Sequence, residues 1–148
     1  MSGDEILHAS AVSVNGRGVL IVGPSGSGKS TLALQLLAFG GVLISDDRVI
    51  LRRRDGALWG RAPAAIAGLV EARGVGLIRA AHAPAPLRLV VDLGQTETER
   101  LPPRREFLLA GQELPLVLGP FSAHLAFAIR QLVLEGCANP ETDLLSTT

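Results

Sequence analysis

The stretch "GVLIVGPSGSGKSTLALQLLAF", Gly18–Phe39, decides how this chain is read. "GVLIVG" is an unbroken apolar run between glycines, the pattern of a strand buried on both faces. "TLALQLLAF" instead repeats its large apolar residues at helical spacing, with Leu32, Leu36 and Phe39 on one stripe, and Gly40-Gly41 predicts its end. Between them Gly23, Gly28, Lys29 and Ser30 satisfy GxxxxGK[ST], with Pro24, Ser25, Gly26 and Ser27 in the variable positions and Thr31 following. Glycines let successive backbone N–H groups converge on one point, and the start of a helix adds partial positive charge there. Gly23 through Thr31 are thus the expected cradle of a nucleoside triphosphate. Lys29 would reach the β- and γ-phosphates, and the Ser30 hydroxyl would ligate Mg²⁺. Lys29 is the only lysine, against thirteen arginines; a compact ammonium suits this position where a planar guanidinium does not.

Outward from that stretch, "ILHASAVSV" reads as one strand from Ile6 to Val14, closed by the hairpin signal Asn15-Gly16. After the helix, "VLIS" is a short buried strand that delivers Asp46 and Asp47 at its carboxyl end, where the connecting helix should set it beside the first strand. "RVILRRR", the turn Asp55-Gly56 and "ALWGRA" predict an antiparallel hairpin. The alanine- and glycine-rich middle from Pro63 to Pro86 predicts loop with short pieces of structure. "LRLVVDLG" is a further buried strand, "ETERLPPRRE" a charged connection, "FLLAGQELPLVLG" a hairpin, and "FSAHLAFAIRQLVLEG" a terminal helix. The organisation predicted is a single mixed α/β domain over residues 1–138 and a flexible tail over 139–148.

Net charge is zero, with 47% hydrophobic and 19% charged residues. That balance describes a compact soluble chain and gives no reason to expect nucleic acid as a partner. Acidic residues near the start argue against a signal peptide, and the longest uncharged runs are interrupted by Gly40-Gly41 and Gly119-Pro120, so no membrane span is expected. Cys137 is the lone cysteine, read as a free buried thiol, and a cytoplasmic location follows.

Phosphoryl transfer needs an acid beside the phosphate loop, to hold the metal or to take the proton of the attacking hydroxyl. Asp46 and Asp47 are the candidates, and two adjacent carboxylates can divide those tasks. Glu71 and Arg73 in "VEARGVGLI" stand two apart in an extended segment, which puts an acid and a base on one side. A surface ion pair is the alternative reading of these two, and a satisfied, partly buried histidine the alternative for His8.

With these residues in view, the chain resembles the catalytic domain of the HPr kinase/phosphorylase family, in a short form without the amino-terminal domain. The likeness runs from about Leu7 to Ile78 through the early histidine, "GVLIVGPSGSGKS", "DDRV" and "EARGVGLI". It implies an ATP-dependent protein-serine kinase acting on an HPr-type phosphocarrier protein, with phosphorolytic removal of the phosphate as the possible reverse activity. It further implies that His8 and Lys29 belong to the active site, that Ser30 and Glu71 hold Mg²⁺, and that one aspartate is the base; we assign the base to Asp47 with Asp46 supporting it, and Arg73 to the phosphate. The implied fold is a P-loop domain with a mixed sheet, similar to the nucleotide-binding part of phosphoenolpyruvate carboxykinase, assembled as a hexamer. Three features depart from the family pattern: Thr31 stands where the family has glutamate, the amino-terminal domain is absent, and "LPLVLGPFSAH" lacks the family's later arginine. A small-molecule kinase and a non-catalytic nucleotide-binding regulator are the competing readings.

Overall fold

A computed structural model describes residues 4–138. The elements in chain order are β1 (Glu5–Leu7), β2 (Ser10–Val14), β3 (Arg17–Val22), α1 (Lys29–Ala38), β4 (Val42–Ser45), β5 (Val49–Arg54) and β6 (Ala57–Arg61). A 3-10 turn (Ala64–Ile66) follows, then β7 (Leu69–Ala72), β8 (Gly76–Arg79), β9 (Ala85–Thr96), β10 (Glu106–Leu109), β11 (Gln112–Gly119) and α2 (Leu125–Glu135). The expected tail over 139–148 lies outside the described residues.

The apolar run read as a doubly buried strand is β3, and its side chains divide by parity as a strand requires. Val19 and Ile21 pack with Leu32 and Leu36 of α1 and Ile129 and Val133 of α2, whereas Leu20 and Val22 enter the opposite core with Leu58 and Leu116. Its neighbour is β9, parallel to it from Gly18↔Leu87 to Val22↔Asp92. The far side of β9 is shared: Ala85 and Pro86 pair with β6, while Val90, Val91 and Asp92 pair with β11. The sheet therefore forks and curls, in the order β1-β5-β6-β9-β3-β2-β4 with β11 and β10 branching from β9, and β7-β8 forms a separate hairpin. This mixed α/β architecture agrees with the sequence reading.

Three details differ from it. The single strand expected over Ile6–Val14 is two, because the chain leaves β5 after Leu7 and joins β3 and β4 from Ser10. Second, β4 does not lie beside β3: the hairpin turn at Asn15-Gly16 folds β2 onto the edge of β3, and β4 adds outside β2. Two antiparallel steps still leave β3 and β4 parallel, so the loop after β3 and the aspartates after β4 meet at one sheet edge. Third, Cys137 is half-buried rather than buried.

Long-range ties close the frame. Arg17 donates from Nη1 to the carbonyls of Val133 (2.7 Å) and Leu134 (3.3 Å), so the β2–β3 hairpin supplies the cation that the last turn of α2 lacks. Glu97 accepts from Arg105 Nε at 2.8 Å and Nη2 at 2.9 Å, clamping the loop between β9 and β10.

Leu89 of β9 is fully buried. Leu89→Ala should cost about 2–5 kcal/mol, read as a lowered urea midpoint with the slope unchanged. The Arg105 guanidinium holds the Glu97 carboxyl below its ordinary range, chiefly through their hydrogen bond. A carboxylate whose folded pKa is depressed contributes stability above its unfolded pKa and loses it as pH falls through the folded one. Glu97→Gln should therefore lower stability at neutral pH and flatten the acid limb of a melting-temperature profile.

Candidate active site

The glycine loop leaves β3 at Gly23 (φ 146°) and re-enters helix through Gly28, whose φ of 104° precedes Lys29 as the helix cap. A side chain at either would clash with its surroundings. A Cβ on Gly23 would come within 2.7 Å of Ser27 Oγ, and one on Gly28 within 3.1 Å of the Phe121 ring. Ser27 Oγ is buried with no hydrogen-bond partner, an orphaned hydroxyl inside the loop. Lys29 is 9% exposed and donates from Nζ to the carbonyls of Gly23 (2.8 Å) and Pro24 (3.1 Å). An ammonium carries three N–H donors; two hold the loop's own carbonyls and one is left for a ligand.

Asp46 is 6% exposed and its carboxylate is fully engaged. Oδ1 accepts the hydroxyls of Ser10 at 2.7 Å and Ser30 at 2.8 Å, and Oδ2 accepts the backbone N–H of Glu71 at 3.1 Å. One carboxylate thus joins β2, the first turn of α1, the end of β4 and β7. Three donors from elements remote in sequence converge on it, which is how a buried charge is made tolerable.

Asp47 points the other way. Its φ of 75° is left-handed, a conformation that aspartate tolerates better than most residues at about 1 kcal/mol or more. The turn is secured by Arg48 N–H to Asp46 O at 2.9 Å and Ala9 N–H to Asp47 O at 3.1 Å. Reversal of the backbone after a buried residue turns the next carboxylate outward: Asp47 is 60% exposed in the cleft, with His8 Nε2 2.8 Å from Oδ1 and Arg48 Nε 3.7 Å from Oδ2.

A cleft of about 310 Å³ brings together the loop, Lys29, Ser30, Thr31, His8, Asp47, Glu71 and Arg73. Ten of the expected positions therefore line it, Ser25, Gly26 and Gly28 of the loop among them, while Asp46 lies just beneath. Gly23, Pro24 and Ser27 of the loop do not line it. Ser10 was not singled out from sequence. It is 1% exposed and fixes both aspartates, taking the Asp47 N–H at 3.5 Å as well as giving its proton to Asp46. The strand carries two serines, Ser10 and Ser13, and nothing local tells them apart.

The oxygen donors suit a hard cation. Ser30 Oγ spends its proton on Asp46 and keeps lone pairs toward the cleft, and the Glu71 carboxylate faces the same space. Among the described residues no three His, Cys, Asp or Glu side chains converge into a metal cage. A sparse set fits Mg²⁺, which keeps waters and phosphate oxygens among its ligands.

A glycine loop between a buried strand and a helix thus meets a pair of aspartates at one edge of the sheet in a mixed α/β domain. A family model, the HPr Serine kinase C-terminal domain, matches residues 1–99, and the chain belongs to that family. It is 49% identical over 72 residues to the HPr kinase/phosphorylase of Clostridium botulinum, an alignment covering 49% of this chain and 24% of that protein. With the HPr kinase/phosphorylase of Aromatoleum aromaticum it shares 41% identity over 114 residues, 68% of this chain and 36% of the relative. The solved structure of the Hpr(Ser) kinase/phosphatase from Coxiella burnetii superposes with a TM-score of 0.76 at 26% identity, covering 88% of each chain. The chain thus spans between about a quarter and about a third of the length of these curated relatives.

Asp46→Ala would leave the Ser10 and Ser30 hydroxyls and the Glu71 N–H without their acceptor. Each buried donor left unpaired costs about 1–3 kcal/mol, so a clear drop in melting temperature is expected. Asp46→Asn keeps an acceptor oxygen and should lose less.

Proposed function

We propose that this chain is an ATP-dependent, Mg²⁺-requiring protein-serine kinase acting on an HPr-type phosphocarrier protein. The observation that carries the reading is the His8–Asp47 pair at the mouth of the glycine loop, 2.8 Å apart and free of the buried network that holds Asp46. The family membership and the printed names of the relatives support it.

The two aspartates divide the work. Asp46 orients the Ser30 hydroxyl, and Ser30 with Glu71 would hold Mg²⁺, whose charge draws electron density from the phosphate oxygens. The loop N–H groups and Lys29 would cradle the ATP phosphates. Asp47 stands in the cleft as general base. As the acceptor serine oxygen bonds to the transferred phosphorus and ADP departs, the serine proton passes to the Asp47 carboxylate. His8, donating from Nε2, keeps Oδ1 occupied, so Oδ2, with Arg48 Nε 3.7 Å away, is the oxygen that would take the proton. Arg73, on the same cleft wall, adds positive charge where the transferred group carries negative charge. The reverse reaction would use Asp47 as the acid, returning its proton to the serine oxygen as phosphate attacks.

The charged segment between β9 and β10 could have served as the arginine lid of a small-molecule kinase. Its Arg105 is tied up by Glu97, and no residue of the segment lines the cleft. Likeness to the nucleotide-binding part of phosphoenolpyruvate carboxykinase, homo-oligomeric (hexameric) assembly and a cytoplasmic location belong to the same reading. No helix among the described residues is long and apolar enough to cross a membrane.

The test is transfer of label from γ-labelled ATP with Mg²⁺ to an HPr-type carrier. Asp47→Asn, which tolerates the left-handed backbone, should keep ATP affinity within about twofold and lose about 10²–10⁴ in transfer rate. Lys29→Ala should weaken ATP binding itself at least tenfold. Label appearing only on small hydroxyl compounds, or unaltered transfer by Asp47→Asn, would contradict the proposal.

A further inference from the structure

The strands that lead to the cleft also lead away from it, to a face that the chemistry above does not use. On the outer side of the β1–β5–β6 layer, Ile6 pairs with Ile50 and Ile50 with Arg61; the next rung sets Arg52 opposite Trp59. Arg54 lies over the Trp59 ring with its guanidinium carbon 4.6 Å from the centroid. Arg52, Arg54, Trp59 and Arg61, with Arg53, Asp55 and Pro84, line a groove of about 520 Å³. Four guanidiniums stand there against two carboxylates, Asp4 and Asp55, in a chain whose net charge is zero. Asp4 alone serves both Arg61 (2.6 Å) and Arg52 (3.8 Å). Each guanidinium carries five donors, so most of this fork-shaped donor capacity faces outward. Ile6, 65% exposed, adds an apolar side chain next to the cation row.

Position gives the face its meaning. β1 and β5 pair up to Leu7↔Val49, and beyond that end His8 and Asp47 line the cleft, with Arg48 beside Asp47. Arg52 is four residues along β5 from Arg48, about 13 Å by the strand rise. A protein partner of ordinary affinity covers about 800 Å² on each side, a disc of roughly 16 Å radius. A protein that presents a serine to Asp47 can therefore extend over the near part of the arginine groove, whereas a small acceptor would never reach it. Arg and Trp are also the side chains that most often dominate binding energy in such contacts.

We propose that the Arg52–Arg54–Trp59–Arg61 face is the docking surface for the acceptor protein, and that the acceptor presents carboxylate side chains to it beside its target serine. This rests on the protein-kinase reading, but the surface can be tested without the chemistry. The charged row steers the acceptor and holds it against the groove; it takes no part in proton or phosphoryl transfer.

The double variant Arg52→Glu/Arg54→Glu tests this, with Arg52→Gln/Arg54→Gln as the milder pair and circular dichroism to establish folding. Two probes are titrated by fluorescence anisotropy at low and high salt: a labelled HPr-type carrier and a labelled peptide of eight glutamates. Wild type should bind both more weakly as salt rises, and the Glu pair should weaken both at least tenfold. In turnover, the Glu pair should raise KM for the carrier tenfold or more, with kcat and KM for ATP within twofold. Carrier phosphorylation with unchanged KM and unchanged peptide binding in the Glu pair would overturn the docking surface while leaving the kinase reading intact. Peptide binding lost in the Glu pair, with no carrier phosphorylation by wild type, would sink the kinase reading and leave a cationic surface that binds anionic partners. A Glu pair that changes the oligomeric state without changing carrier affinity would assign the face to subunit contact and overturn the proposal.

Discussion

The buried carboxylate of Asp46 ties together four segments that are distant in sequence. It takes a hydroxyl from β2, a hydroxyl from the first turn of α1 and a backbone N–H from β7, and itself ends β4. Hydrogen bonds to a charged group are worth more than neutral ones and cost more when broken. The position of Ser30 relative to the glycine loop, the seating of the β7–β8 hairpin and the exit direction of the chain after β4 all follow from this one group. Because Asp46 is turned inward, the left-handed step at the next residue turns Asp47 outward. The pair of adjacent acids thus acts as a pivot between core and cleft.

That pivot depends on the parallel relation of β3 and β4, which is reached indirectly. β2 lies between them and is antiparallel to both, so the loop and the aspartates emerge at one edge although their strands do not touch. The arrangement places Ser10 under both acids. A β4 paired directly to β3 would have brought the aspartates to the same edge but with no side chain beneath them. On the other side of β3, β9 supports the loop more bluntly: Gly94 comes so close to Pro24 that a Cβ there would be 2.9 Å from its ring. Phe121, delivered by the end of β11, backs Gly28 in the same way.

Much of this was legible in the sequence because it is written locally. An apolar run, a glycine-rich turn and an amphipathic stretch name β3, the loop and α1, and Asn15-Gly16 and Asp55-Gly56 name two hairpins by the left-handed conformations that such turns require. The gathering of His8, Asp47, Glu71 and Arg73 around the loop followed from motif order rather than from any local pattern. What local pattern does not contain is pairing between remote segments. The break at His8–Ala9 arises because β1 and β2 belong to different parts of a curling sheet, and the order β3-β2-β4 is decided by which edge the hairpin covers. Ser10 stayed hidden because nothing local distinguishes it from Ser13 in the same strand. The arginine groove was visible only as "RRR" until the register put Arg52 across from Trp59 and Arg61 beside Asp4.

The central claim is that the cleft delivers a phosphoryl group to a protein serine with Asp47 as the base. It is tested most directly by mapping the phosphate on an HPr-type carrier by mass spectrometry after a single turnover, with wild type and Asp47→Asn run side by side. The account predicts one phosphoserine with wild type and none above background with the variant. Phosphate on a histidine, or equal phosphoserine from both proteins, would contradict it.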